Sequence, residues 1–287
     1  MCPENYIRQA FEEQWKIENL ENQIASCPQY DIFPLLQKYI SREMKILEAG
    51  CGMGRWLFYF QRQGFDITGI DWSEKTVEIV KAYNPNIKIV NGDIRTMGFA
   101  DGQFDMVMSL GAVEHDIDGP GRALAEFARV LKSDGLLLCT VPVLTGVRRV
   151  LQILKTPWRN IKSFLLTLKG KIRGSGFTSL KSVKKECSAR FSCSHGISEA
   201  GYFFFEYRFT LPQLRSLIEN AGFVAMDIFP AFPDDGLFHD LGKVVGRWDF
   251  SNGKAVFNPF GCWLRKIFPR VFFHMAICVA RKRKKNA

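Results

Sequence analysis

The chain has 287 residues, of which 47% are hydrophobic, and a formal net charge of +10. This length and composition suit one large globular domain with insertions, and the positive charge indicates an anionic partner. The eight cysteines lack paired C-x-x-C spacing, the amino terminus is polar, and no apolar run approaches the roughly 20 residues that cross a bilayer. We therefore expect a cytoplasmic chain that does not span a membrane.

Residues 1 to about 40 are predicted to form helices that precede the first strand, with apolar side chains at Tyr6, Phe11, Trp15 and Leu20. Such a segment either covers a bound ligand as a lid or simply packs on the sheet. Because the sequence does not separate these alternatives, we place no site residue in it.

The first predicted strand leads into an acidic residue and three glycines at alternate positions, Ile46-Leu47-Glu48-Ala49-Gly50-Cys51-Gly52-Met53-Gly54. Glycines without a Cβ let a nucleotide lie directly against the main chain. An NAD turn requires G-x-G-x-x-G, but the last position here is Arg55 or Leu57, and a carboxylate would lie near the pyrophosphate. S-adenosylmethionine has no phosphate and carries two cationic groups, so the turn favours that cofactor.

The next elements also end in acids. A helix from Trp56 to Gln63 leads to the strand Phe65–Asp71, and the carboxylate at its end can accept both hydroxyls of a ribose. Ser73 caps a helix that runs to Tyr83. The third strand, residues 87–93, ends at Asp93, where a carboxylate can take the amine of adenine, and a fourth strand covers residues 104–110.

The remainder of the chain continues the alternation of helix and strand. Pro120–Lys132 is an amphipathic helix, and residues 136–141 form a buried strand. A helix over 211–221 precedes the strand 223–229, and 272–281 is the final strand. This alternation predicts an α/β fold with a doubly wound, parallel sheet.

Four segments in this order, EAGCGMGRW, TGIDWSEKTV, NGDIRTMGFADGQFDMVMSLGAVEH and ALAEFARVLKSDGLLLCTVP, resemble the class I S-adenosylmethionine-dependent methyltransferases. They cover about residues 45 to 142, and the similarity is to the group that includes ubiquinone-biosynthesis and other small-molecule methyltransferases. The resemblance implies a Rossmann-like seven-stranded sheet, mostly parallel, with the last strand antiparallel and with cap insertions.

The resemblance also implies the cofactor-binding residues. Glu48, Gly50 and Gly52 would line the methionine part and Asp71 the ribose, while Trp72 and Ile94 would flank adenine, Asp93 would bind its amine, and Ser109 and Leu110 would present backbone groups. Cys51 and Gly54, in the same turn, complete the expected set.

The expected organisation has three parts: residues 1–145 hold the amino-terminal helices and the cofactor core, 146–205 form a basic cap insertion, and 206–287 complete the sheet with a second insertion at 231–270. Both insertions leave the carboxyl ends of strands, where a substrate must enter. The tract from Gly201 to Phe223 is also similar to methyltransferases of polysaccharide biosynthesis.

The first insertion carries about a dozen Lys or Arg residues and a single acid between Val147 and Arg190. Its apolar residues recur at helical spacing, with cations on the other sides. One interpretation is an interfacial helix that meets anionic lipid and gives access to a lipid-linked acceptor. The other, which we favour from the sequence, is a cap whose apolar stripe covers the active site and whose charges are solvated.

His115 is the candidate catalytic base, because Glu114-His115-Asp116 follows the fourth strand by a short loop. The alternative, somewhat favoured, is that His115 only packs or hydrogen-bonds backbone there. His195 and His239 lie in the insertions and are more often merely exposed, while Tyr202 and Tyr207 belong to an aromatic run that is more often core.

Cys187, Cys193 and His195 are the residue types that bind zinc, but their spacing matches no paired-cysteine motif and no fourth ligand is evident. We therefore expect no metal site.

Together these features predict methyl transfer from S-adenosylmethionine to a small-molecule or lipid- or glycan-linked metabolite, at oxygen, in a cytoplasmic chain. Peripheral contact with an anionic membrane is the alternative that the interfacial interpretation of the first insertion implies. The alternatives are an RNA methyltransferase that docks through the basic cap, and a non-catalytic cofactor-binding regulatory protein. Nucleic acid is disfavoured because residues 109–112 read SLGA instead of the Pro-Pro-aromatic motif of base-amine methyltransferases.

Overall fold

The computed structural model describes residues 3–15, 19–172, 178–249, 254–269 and 271–284. The strands within these ranges are β1 (Lys45–Ala49), β2 (Asp66–Asp71), β3 (Ile89–Asn91), β4 (Phe104–Leu110), β5 (Leu131–Pro142), β6 (Ser192–Ser198), β7 (Gly201–Arg208), β8 (Phe223–Ala231), β9 (Gly246–Asp249), β10 (Lys254–Phe257) and β11 (Met275–Lys282). The helices are α1 (Pro3–Trp15), α2 (Leu20–Ser26), α3 (Phe33–Tyr39), α4 (Arg55–Gln61), α5 (Glu74–Tyr83), α6 (Gly121–Val130), α7 (Gly146–Ile172), α8 (Leu180–Glu186), α9 (Leu211–Asn220), α10 (Pro233–Leu241) and α11 (Pro259–Ile267).

Seven strands form one sheet in the order β3-β2-β1-β4-β5-β11-β8. The first five are mutually parallel, whereas β11 lies between β5 and β8 and is antiparallel to both. The predicted fold class is thereby confirmed, including the antiparallel last strand. In a sheet wound this way, ligands bind outside the carboxyl ends of the parallel strands, on each side of the β1–β4 reversal.

The central strands are apolar on both faces because helices cover each side of the sheet. Leu47 and Val107 pack with the apolar stripe of α6, while Ile46 and Met106 face the opposite core together with α4. Helix boundaries follow local chemistry as predicted: the Ser73 side chain accepts the Thr76 N–H at the start of α5.

Helix α7 is continuous through Pro157 and presents its apolar side chains to solvent. The interpretation that this stripe covers the active site is therefore wrong. The expectation of solvated charges is also wrong for Arg148, which is 2% exposed and forms an ion pair with Asp240 of α10 at 2.6 Å. The helix is thus held by a buried cation, and most of its apolar face is exposed, while Val147 and Leu166 pack against the described core.

The rest of the first insertion is α8 and the β6–β7 hairpin, which pairs in an antiparallel register. The expected boundary between residues 205 and 206 falls inside β7. The second insertion contributes α10, the β9–β10 hairpin and α11, which share a small core around Leu237 and Leu264. Among the described residues, no helix has the length and apolar character needed to cross a membrane.

Candidate active site

The glycine turn after β1 forms the floor of a cleft at the carboxyl end of the sheet. Gly50, Gly52 and Gly54 have φ values of +77°, +51° and +74°, a region that favours glycine. The N–H groups of Gly50 and Cys51 donate to the Ile70 carbonyl at 2.9 and 3.1 Å, which ties the turn to β2. A Cβ on Gly50 would lie 2.5 Å from the Ala112 Cβ, so the turn directly contacts the loop after β4.

Six of the predicted cofactor residues line this cleft together with the predicted base, His115: they are Gly50, Gly52, Asp71, Trp72, Asp93 and Ile94. The structure therefore brings together residues from the ends of β1, β2, β3 and β4. The sequence analysis did not select seven other lining residues, which are Phe11, Arg95, Gly111, Ala112, Val113, Asp116 and Ala123. Gly111 to Val113 follow β4 directly, and this position at the carboxyl end of a parallel strand could have identified them as lining residues.

Five predicted cofactor residues lie beside the cleft without lining it: Glu48, Cys51, Gly54, Ser109 and Leu110. Ser109 is fully buried in β4, and Leu110 packs against the core beneath the sheet. The Cys51 thiol packs against Gly69, and burial raises its pKa well above the ordinary value, so it stays a neutral packing group. Their predicted contacts with the cofactor stay predictions.

Asp71 is buried at the end of β2 with its carboxylate fixed by two backbone donors. One oxygen accepts the Gly52 N–H at 2.8 Å and the other accepts the Ser73 N–H at 3.0 Å. Burial raises the pKa of this carboxyl above its ordinary value, while these two bonds and the Arg8 guanidinium favour the ionised form. Each oxygen keeps a further lone pair, so the group can accept the two hydroxyls of a ribose.

Glu48 lies under the turn and is 4% exposed. Burial raises the pKa of its carboxyl to about 8, although the charge of Arg55 and the Leu57 N–H favour ionisation. One of its oxygens, Oε2, has no hydrogen-bond partner. A buried carboxyl with an unsatisfied oxygen is costly unless a cation or donor completes it.

Asp93 and Arg95 form a fixed pair at the end of β3. The Arg95 Nη2 lies 2.7 Å from the Asp93 carboxylate, which also accepts the backbone N–H of Arg95 at 2.8 Å. Burial opposes ionisation of Asp93, but these donors together hold its pKa below the ordinary value. The carboxylate is therefore an ionised acceptor at the part of the cleft formed by the end of β3. Arg95 also approaches Asp116 at 3.5 Å.

His115 lines the cleft, with Nδ1 2.7 Å from the Phe205 carbonyl oxygen. Because a carbonyl oxygen only accepts, Nδ1 carries the proton and Nε2 presents a lone pair. Burial lowers the pKa of the imidazole, against the opposing charge of Glu206 and the Phe205 carbonyl. A neutral imidazole in this tautomer is able to accept a proton, and it also packs edge-on against Phe11.

Helix α1 covers one side of the cleft. Tyr6 stacks on Phe203 of the hairpin at 5.3 Å, and Phe11 lines the cleft beside His115. The Arg8 guanidinium lies 5.0 Å from the centre of the Trp72 ring. The amino-terminal segment thus both packs on the fold and contributes to the site. Trp15 is the last residue of α1, and its side chain lies outside the described part of the chain.

The other residues considered for catalysis or metal binding lie outside the cleft lining. Tyr207 is buried, and its hydroxyl donates to the Ile117 carbonyl at 2.6 Å. His239 stacks on His274 at 4.1 Å. Ligand atoms of Cys187, Cys193 and His195 lie within 4.8 Å of one another, and no fourth metal-binding side chain joins them among the described residues. The expected absence of a metal stays a prediction.

The hydrogen-bond acceptors at and beside the cleft fit S-adenosylmethionine. Asp71 matches a ribose and Asp93 an amine. The unsatisfied oxygen of Glu48, which lies beside the cleft, matches a cationic group at the turn. A pyrophosphate would bring two negative charges to a cleft that already holds these carboxyls. At Gly50 a Cβ would meet the Ala112 side chain, so this position of the turn requires glycine.

Comparisons with known proteins agree with this geometry. Residues 47–139 match the family model of the methyltransferase domain. A demethylmenaquinone methyltransferase of Staphylococcus aureus strain MRSA252 is 30% identical over 139 residues, which are 46% of this chain and 56% of that protein. A second, from strain JH9, is 29% identical over 163 residues, covering 53% and 64%. The alignments thus span less than two thirds of these relatives.

Solved structures support the fold. A SAM-dependent methyltransferase of Methanosarcina mazei gives a TM-score of 0.57 at 16% identity, covering 89% of this chain and all of that one. The 1,6-didemethyltoxoflavin-N1-methyltransferase of Burkholderia thailandensis, solved with 1,6-didemethyltoxoflavin and S-adenosylhomocysteine, gives 0.54 at 16% identity, covering 99% and 92%.

Proposed function

We propose that residues 47–139, which match the family model of the methyltransferase domain, act as a class I S-adenosylmethionine-dependent methyltransferase, and that the protein methylates a small-molecule acceptor, at oxygen. The observation that carries the proposal is one cleft in which the glycine turn, Asp71, Asp93 and a neutral His115 converge.

Bound S-adenosylmethionine supplies an electrophilic methyl group on a sulfonium. In the proposed arrangement, Asp71 accepts from the ribose, Asp93 accepts from the adenine amine, and Glu48 faces the methionine ammonium. Holding both reactants in line can recover about 7–11 kcal/mol of the barrier. The chain's remaining task is then to orient the acceptor and take its proton.

We assign to His115 the role of accepting the proton that the acceptor hydroxyl loses. An acceptor hydroxyl keeps its proton at neutral pH and must lose it as the new carbon–oxygen bond forms. The Phe205 carbonyl holds the proton of Nδ1, which leaves the lone pair of Nε2 to receive the acceptor's proton. The low pKa of this imidazole keeps that lone pair available at neutral pH.

A lipid-linked or glycan-linked acceptor is the finer form of the proposal. It is supported by the exposed apolar face of α7, which begins close to the carboxyl end of β5. In this form the protein works in peripheral contact with an anionic membrane, where a carrier lipid would hold the acceptor near the cleft.

The test is transfer of label from methyl-tritiated S-adenosylmethionine to separate pools of soluble metabolites, membrane lipids and RNA. We expect label in the metabolite or lipid pool, and its loss in the Asp71→Asn variant. Label in RNA alone would establish the rival RNA methyltransferase. Cofactor binding with no label in any pool would instead identify a non-catalytic regulatory protein.

A further inference from the structure

Helix α7 exposes a continuous apolar stripe. Seven apolar residues lie on one face of the helix and are between 53% and 76% exposed: Val150, Ile153, Leu154, Trp158, Ile161, Phe164 and Leu165. The opposite side of the helix carries the buried Arg148 and Ser163. Monomeric proteins rarely leave so large an apolar face in water, and such a face marks an interaction site.

The charges on α7 have one sign. The helix sequence contains seven Lys or Arg residues and no acid. Arg149, Lys155 and Lys162 are exposed beside the apolar stripe. An apolar stripe with Trp, bordered by cations, matches the boundary of an anionic bilayer, where apolar groups enter the acyl region and cations meet headgroups.

The second insertion has a helix of the same kind, which the sequence analysis missed. Phe260, Trp263 and Ile267 of α11 are 48%, 52% and 52% exposed, and the two aromatic rings stack at 5.9 Å. Arg265 and Lys266 are the charged residues of this helix. Exposed aromatic side chains next to cations are typical of groups that lie at headgroup level.

Both helices are held by α10. The carboxylate of Asp240 pairs with Arg148, and the backbone carbonyl of Asp240 accepts a hydrogen bond from the Lys155 ammonium at 2.8 Å. On the other side, Arg265 of α11 forms an ion pair with Asp234 at 2.8 Å. The small core around Leu237 includes residues of α10 and α11, with Val147 of α7 packed against it.

We propose that α7 and α11 together form one membrane-binding surface that takes an anionic bilayer as its partner. A second copy of the chain is disfavoured, because a symmetric α7–α7 contact would place unbalanced cations opposite each other. The surface deepens the proposed function and rests on it for its catalytic purpose. The Arg148 guanidinium donates to the carbonyls of Val143 and His274 at 3.0 and 3.4 Å, which ties α7 to the end of β5 and the start of β11.

The experiment is sedimentation of the full chain with vesicles of phosphatidylcholine, with and without phosphatidylglycerol, at low and physiological salt. One variant alters α7, Ile153→Ser with Trp158→Ser, and one alters α11, Phe260→Ser with Trp263→Ser. The matched control, Ile79→Ser with Val90→Ser, removes two exposed apolar side chains from α5 and β3. Heat of S-adenosylhomocysteine binding serves as the readout for an intact core.

We expect binding to the anionic vesicles alone, weakened about tenfold or more by the α7 and α11 variants and unchanged in the control. Added salt should release the protein. No binding to anionic vesicles at low salt would overturn the proposal. Wild-type binding by the α11 variant would overturn the shared surface, and a dimer broken by the α7 variant would make a second copy the occupant.

The two proposals fail separately. Vesicle binding that persists in a protein showing no heat with S-adenosylhomocysteine would remove the methyltransferase proposal and leave the surface. Normal cofactor binding and label transfer without vesicle binding would do the reverse.

Discussion

Replacing Glu48 by Gln should stabilise the ligand-free protein at alkaline pH while weakening its affinity for the cofactor. The carboxyl is 4% exposed, has an unpartnered oxygen, and has its pKa raised by burial to about 8 from 4.5. A raised pKa means that the folded state holds a proton which the unfolded state has released. Ionised Glu48 therefore destabilises the ligand-free fold.

The sign and window follow from those two values. Below pH 4.5 the carboxyl is protonated in both states, so its effect on folding is absent. As the pH rises from 4.5 to about 8, the unfolded state loses the Glu48 proton while the folded state keeps it. This lowers the free energy of unfolding, by a total of about 5 kcal/mol once the pH exceeds both pKa values. The amide of Gln has no such dependence, so the variant should gain relative stability on the order of 3–5 kcal/mol at pH 8.5.

The assay is urea unfolding of both proteins without ligand at pH 5 and pH 8.5, followed by titration with S-adenosylhomocysteine. The difference between the unfolding free energies of the two proteins cancels the contributions of the other titrating groups. We expect the variant to bind about 10- to 100-fold more weakly, because it loses a charged partner for the ammonium. Equal stability differences at both pH values would refute the buried, uncompensated carboxyl, and unchanged affinity would refute its role at the cofactor.

Three further substitutions test the rest of the cleft. Asp71→Asn should keep the fold, since the amide oxygen retains one backbone donor. The variant should bind S-adenosylhomocysteine about 10- to 100-fold more weakly in calorimetry. Equal affinity would show that the ribose contact is misassigned. Gly50→Ala should cost about 1–3 kcal/mol in urea unfolding, because φ is +77° and the new Cβ meets Ala112, whereas Gly98→Ala, which meets no atom within 4 Å, should be nearly neutral. His115→Gln should lower kcat about 10²- to 10⁴-fold with cofactor affinity unchanged. The wild-type rate should fall as pH drops through a pKa below 6.5, because protonation removes the base, and a rate independent of pH there would exclude it.

The sheet could be predicted from the sequence because its signals are local. Strand β4 has the predicted bounds, Phe104–Leu110, and Ser73 caps α5 as expected. The acids at the ends of β2 and β3 share an edge because parallel strands end there. The predicted parallel strands therefore rest on apolar runs, caps and glycine spacing, whereas the seven-stranded sheet and its antiparallel last strand followed from the family resemblance.

The exposure of α7 could not be predicted, because an amphipathic pattern has the same period whether its stripe faces a core or solvent. The burial of Arg148 depends on Asp240, which lies 92 residues later in the chain. Likewise Phe11 reaches the cleft only because α1 packs on the β6–β7 hairpin. These features depend on tertiary contacts that leave no local signal.

The central claim is that the cleft after β1 binds an adenosyl sulfonium and not a dinucleotide. Isothermal titration calorimetry of the ligand-stripped, folded protein with S-adenosylmethionine, S-adenosylhomocysteine and NAD tests it most directly. We predict heat at a 1:1 ratio with the first two and none with NAD. Heat with NAD alone would contradict the account.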